Sequence, residues 1–140
     1  MARYKINKIS GGNFSAFGKV IEYAGKNSAG KKKNLFCKVV VENKKTGWRI
    51  AYLVVREKVV DKLERHPGTW ESFEPVCGRP LLFVAGRKDV KAIRCFYLDK
   101  PVVLKKGTWH GVVTLGSEAE IKITENARVK SEYWRLDSGF

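Results

Sequence analysis

Glutamine is absent from this 140-residue chain, methionine occurs once and histidine twice. The first two scarcities, beside abundant lysine, lean toward the composition of thermophilic proteins. The third means that any imidazole chemistry must run through His66 and His110. No apolar run approaches the ~20 residues that a membrane-spanning helix requires, and Met1-Ala2-Arg3-Tyr4-Lys5 lacks the apolar stretch of a secretory signal, so the expectation is a soluble, cytoplasmic protein. Cysteine is sparse as well. Cys37, Cys77 and Cys95 are odd in number and widely spaced, with no Cys-x-x-Cys pair, which argues against a disulfide framework and a zinc knuckle. They are expected to be reduced thiols in or near the core. There is no Gly-x-Ser-x-Gly elbow, and no glycine-rich phosphate loop leads into a helix.

What the chain has in excess is positive charge, formally +14. Such a surface attracts polyanions, whereas basic groups at a pocket attract small carboxylates. Lys31-Lys32-Lys33 and Lys44-Lys45 sit among glycine, serine and asparagine, and no stacking aromatics are interleaved with them. That pattern disfavours single-stranded nucleic acid as a partner.

Short apolar and period-two runs cover residues 35–41, 48–55, 81–85, 92–98, 109–115 and 121–124, with turn formers between them. This is the signature of an all-β protein, an antiparallel sandwich or barrel rather than βαβ units. The one helical candidate is a turn or two beginning at Asn13 as cap and stopped by Gly18. Residues 26–33 read as a flexible loop. With no repeat or linker, the expectation is a single domain over residues 1–140, an antiparallel β-barrel of eight or more strands with at most one short N-terminal helix.

Four residues stand out within that barrel. Glu64 and His66 are two apart, so on a strand they share a face, and a Pro67-Gly68 turn can return Glu71 beside them. A later strand ending in Gly107-Thr108-Trp109-His110 can deliver His110. Two imidazoles with two carboxylates suit a divalent transition metal, and the donor set does not discriminate among nickel, manganese, iron and zinc. The spacing resembles the cupin pattern, in which His-x-His is followed by Glu, by Gly, and later by Pro-x-Gly-x-x-His. Here Glu64 stands for the first His and Lys105 for the Pro. Taken one at a time, the same residues read as a hydrogen-bonded turn histidine and solvated carboxylates.

Longer strings are more specific. Phe14-Ser15-Ala16-Phe17-Gly18-Lys19-Val20-Ile21-Glu22, Leu63-Glu64-Arg65-His66-Pro67 with Phe73 and Pro75 after it, and Gly107-Thr108-Trp109-His110 resemble the ureidoglycolate lyase family in order and separation. The resemblance implies a cupin-like jelly-roll barrel, a homodimer, and cleavage of ureidoglycolate to glyoxylate and urea late in allantoin breakdown. It also matches Arg94, in Ile93-Arg94-Cys95-Phe96, to a family Leu-Arg-Ala-Phe stretch, which makes Arg94 and Lys105 candidates for gripping a substrate carboxylate. The chain departs from the family where Asn-Tyr-His-Arg is usual and Val103-Leu104-Lys105-Lys106 stands, and at Gly111, where a second His is usual. Three readings remain open. One is a lyase with Glu64, His66 and His110 as catalytic groups and a metal on Glu64, His66, Glu71 and His110. Another is a non-catalytic or different-substrate cupin for a small anion, and the third is a basic barrel that binds nucleic acid.

Overall fold

The computed structural model describes residues 3–21, 45 and 47–137; the strand expected at 35–41, the loop at 26–33 and Cys37 lie outside them. In chain order the elements are β1 (Ile6–Lys8), α1 (Gly11–Phe14), β2 (Gly18–Val20), β3 (Trp48–Val55), β4 (Lys62–Arg65), β5 (Glu71–Cys77), β6 (Pro80–Gly86), β7 (Asp89–Tyr97), β8 (Val102–Leu104), β9 (Trp109–Thr114), β10 (Ala119–Asn126) and β11 (Glu132–Arg135). They form a cupin-like β-barrel of two facing sheets. One has the order β1-β7-β6-β9-β4-β11, the other β2-β8-β5-β10-β3. Every ladder is antiparallel except β1 with β7. None of the described residues forms a helix long and apolar enough to cross a membrane.

Side-chain parity distributes the sequence between the sheets. On β10, Ala119, Ile121, Ile123 and Glu125 are buried and alternate with half-buried Glu120, Lys122, Thr124 and Asn126, as a strand with one core face must. β6 is buried almost throughout. Its Leu82 and Val84 join Phe73, Phe96, Leu104 and Ile121 between the sheets, while Leu81, Phe83 and Ala85 pack in a second cluster with Leu63, Cys95 and Trp109. A strand covered on both faces loses its alternation, which explains the continuous apolar run in its sequence.

Two local expectations are corrected. The helix cap is Ser10, not Asn13: the Ser10 hydroxyl accepts from the Asn13 amide at 3.2 Å, and the Asn13 side chain accepts from the Ser10 amide at 2.8 Å. Asn13 thus closes the reciprocal capping box at the third helical position, and the helix starts earlier than expected. Cys77 is exposed at the end of β5, where its thiol donates to Glu120, whereas Cys95 is buried. Gly18 is required by packing, because a Cβ there would run into the Val103 carbonyl across the β2–β8 pair.

Candidate metal centre

The centre begins with parity on β4 and β9. Glu64 pairs directly with His110, and directly opposed residues of an antiparallel pair point to the same side. Leu63 and Trp109, their chain neighbours, point into the second cluster instead. His66 follows β4 by one residue and, two positions from Glu64, returns to the inner side. The Pro67-Gly68 turn then leads to β5, whose first residue is Glu71. The turn at Gly107, with a φ of 76°, sets the other histidine strand against this one: the Gly107 amide donates to the His66 carbonyl at 2.9 Å. That left-handed backbone favours glycine.

All four residues meet. Glu71 Oε2 lies 3.2 Å from His110 Nε2 and 3.5 Å from His66 Nε2, and Glu64 Oε1 lies 3.7 Å from His66 Nε2. The imidazole centroids are 5.3 Å apart. His66, Glu71 and His110 are buried, while the Glu64 side chain keeps 34% of its exposure. Both rings are held from behind. His110 Nδ1 contacts the Thr108 carbonyl at 3.0 Å, and His66 Nδ1 contacts the Lys130 carbonyl at 3.1 Å and the Ser131 hydroxyl at 3.2 Å. A carbonyl only accepts, so each Nδ1 carries the proton and each Nε2 is the atom turned toward Glu71.

The consequence is a cluster of acceptors. In the neutral Nδ1-protonated tautomer the Nε2 atom presents a lone pair, so two lone pairs face a buried carboxylate oxygen that makes no hydrogen bond. A proton or a cation between them resolves the conflict. Burial, followed by the nearby carboxylates of Glu125 and Glu64, pushes the Glu71 carboxyl well above the usual carboxylate range, with Arg49 opposing. Burial drives His110 down to about 4, against the effect of the Thr108 carbonyl. Glu64, His66 and His110 each offer a ligand atom within 4.8 Å of one another, and so do His66, Glu71 and Glu125. Two imidazole nitrogens oriented by carbonyls and several convergent carboxylates fit a divalent cation.

Glu125 is absent from the sequence-derived set. It sits on β10, opposite Arg49 on β3, and Arg49 reaches Glu125 Oε1 through Nε at 2.7 Å and Nη2 at 2.5 Å. Its signal was available as parity: an acid continuing the apolar row Ala119, Ile121, Ile123. Arg94 and Lys105 are not brought to the centre. They line a separate cavity of about 430 Å³ with Phe17, Arg87 and Lys88. Arg94 donates to the Asn13 carbonyl at 3.1 Å and stacks over Phe17 and Phe96. The cavity beside the histidines, about 480 Å³, is lined by Glu64, Glu71, Phe73, His110 and Tyr133, with Arg56 and Lys62 as its cations.

The family model for ureidoglycolate lyase matches residues 1–133. The chain belongs to the ureidoglycolate lyase family. No curated protein matches it. Among solved structures, it is similar to oxalate decarboxylase from Bacillus subtilis at pH 4.6, with a TM-score of 0.48 and 16% identity. A second structure of oxalate decarboxylase, concerned with its substrate binding mode, gives 0.46 and 18%. Each likeness covers 65% of this chain and 24% of the other, so the chain spans about a quarter of those structures.

The departures from the ureidoglycolate lyase pattern have places in the fold. A side chain added at Gly111 would meet Val60 and Leu63 at 3.2 and 3.3 Å, on the side of β9 away from Glu71. Leu104 pairs with Glu71 in register and is buried with the inter-sheet core, so it deprives Glu71 of a polar neighbour and deepens its desolvation.

Proposed function

We propose that the chain is a ureidoglycolate lyase, cleaving the carbon–nitrogen bond of ureidoglycolate to release glyoxylate and urea. The observation that carries this reading is the convergence of Glu64, His66, Glu71 and His110, three of which, Glu64, Glu71 and His110, line a cavity of about 480 Å³. A divalent cation bound there would supply Lewis-acid charge to the substrate's carboxylate and hydroxyl oxygens.

The chain's own residues would do the rest. The hydroxyl on the central carbon must lose a proton as its oxygen becomes the aldehyde of glyoxylate, and the departing ureide nitrogen must gain one to leave as urea. Glu64 is the accessible carboxylate of the set, and its Oε1 accepts from the Tyr133 hydroxyl at 3.3 Å. It is placed to take the first proton and return it to the nitrogen, so the proton count balances without a co-reactant. His66, Glu71 and His110 would hold the cation, and Phe73, 5.3 Å from His110 by ring centroid, gives the inner wall an apolar surface. With Arg94 and Lys105 facing another cavity, the grip on the substrate carboxylate falls to Lys62, seated over the Tyr133 ring at 5.0 Å, and Arg56. In a cell, such an enzyme would act in the cytoplasm at the end of allantoin breakdown.

Urea release from ureidoglycolate, measured beside elemental analysis of the untagged protein, tests this reading. The expected result is glyoxylate and urea in equal amounts, stimulated by a divalent metal and lost on chelation. A chain that binds metal yet releases no urea under any divalent ion would instead support the non-catalytic or different-substrate cupin, for which Leu104 and Lys105 in place of the family's polar residues are the motive.

The homodimer that the family resemblance implies belongs to the same proposal. Trp48, Ile50, Tyr52 and Val54 form an exposed row along β3, and Tyr133 and Trp134 are exposed on β11. Contiguous apolar surface of this kind commonly marks an interface. Light scattering at micromolar concentration is expected to give twice the chain mass, and a monomer at that and higher concentrations would remove the claim.

A further inference from the structure

We propose that Glu125 is a carboxylate ligand of the divalent-cation site, leaving Glu64 free for proton transfer; this rests on the reading that the site takes such a cation. Glu125 arrives from β10, in the sheet that also carries Glu71 and that faces the strands of Glu64 and His110. It stands one inward step beyond Ile123, which pairs with Phe73 on β5, so it enters the space in front of Glu71 from β10. Its side chain keeps only 4% of its exposure.

The geometry of its ion pair is informative. A structural arginine–carboxylate pair commonly engages both oxygens in a fork. Here both Arg49 nitrogens go to Oε1, at 2.7 and 2.5 Å, and Oε2 is buried without a hydrogen-bond partner among the described residues. An unpaired carboxylate oxygen in the interior is costly unless something positive approaches it. The neighbours that accompany it are Glu71 and His66, each with a ligand atom within 4.8 Å of the others, and all three residues are buried. Glu71 Oε2 is likewise without a hydrogen bond.

Charge points the same way: Glu71 and Glu125, when ionised, place buried carboxylate oxygens within 4.8 Å of one another, and Arg49 engages only one of the two residues. Of the three carboxylates Glu64 is the most accessible to a molecule in the cavity. A buried set of His66, Glu71 and Glu125, with His110 beside Glu71, would hold the cation from within and leave Glu64 facing the substrate. Adding a carboxylate oxygen to two imidazoles also shifts the preference toward ions such as manganese and iron, which accept mixed oxygen and nitrogen donors.

Calorimetric titration of the metal-stripped protein with manganese(II) separates the roles. Glu125→Gln is expected to weaken manganese binding about ten- to a hundredfold. Glu64→Gln should keep the wild-type affinity while losing urea release. Glu125→Asp, which retains the charge for Arg49 but withdraws the oxygens, should fall between and serves if the glutamine variant does not fold. If both Glu125 variants bind manganese as tightly as wild type while His66→Ala does not, Glu125 is only a salt-bridge partner and the proposal falls, with the cation reading intact. A wild type that binds no manganese, nickel, iron or zinc ends both.

Discussion

Replacing His66 or His110 with alanine is expected to lower urea release from ureidoglycolate by about a hundredfold or more while leaving the barrel folded, because loss of a positioned acid, base or ligand-bearing group typically costs that much. Neither ring is structural filler. Each is fastened by Nδ1 to a backbone carbonyl, of Lys130 or Thr108, so that Nε2 is aimed at Glu71 Oε2. Removing one ring takes away an acceptor and leaves Glu71 with a single nitrogen partner, an arrangement that no longer surrounds a cation. The strands that carry the rings do not depend on them: β9 keeps its ladder to β6, and β4 keeps its ladder to β11. Circular dichroism and the melting transition should therefore remain near wild type while steady-state assays register the loss. Full activity in both variants would show the histidines to be bystanders and would remove the lyase reading along with them.

Phe96→Ala is expected to have the largest effect on stability, on the order of 3–5 kcal/mol, as for other fully buried phenylalanines. The ring is wholly inaccessible and lies 5.2 Å from Phe14 and 6.0 Å from Phe17, both edge-on. These contacts fasten the capped turn of α1 and the start of β2 to β7, and the Arg94 guanidinium stacks over the same ring at 5.0 Å. Truncation removes the buried area and opens a cavity between Phe14, Phe17 and the Arg94 guanidinium. Denaturant titration should show a lower midpoint with an unchanged slope. A shift worth less than about 1 kcal/mol would mean that the site relaxes and that the aromatic cluster is not what joins the N-terminal segment to the sheet.

How far these residues could be foreseen depends on the range of the interactions that place them. Strands 48–55, 81–85, 92–98, 109–115 and 121–124 were legible to within three residues at either end, because period-two or continuous apolar burial is written into neighbouring side chains. The short strands β1, β2, β8 and β11 were not, since three or four residues carry too little pattern and owe their form to the ladders they join. The helix cap went to the wrong residue, as Asn13 and Ser10 are both good caps and the choice turned on a reciprocal pair of hydrogen bonds.

For the centre, the sequence alone determined that Glu64 and His66 share a face and that a tight turn returns the chain to Glu71, because both follow from covalent spacing on a strand. The meeting of His110 with Glu64 needed a family pattern to foresee and a cross-strand pair to realise. Tertiary structure alone decided the remainder. It brought Glu125 and its Arg49 partner in from the facing sheet, and it sent Arg94 and Lys105 to a different cavity. Which side chains face one another across the 10 Å or so between packed sheets depends on strand order and on the closure of the barrel, and neither is encoded in local alternation.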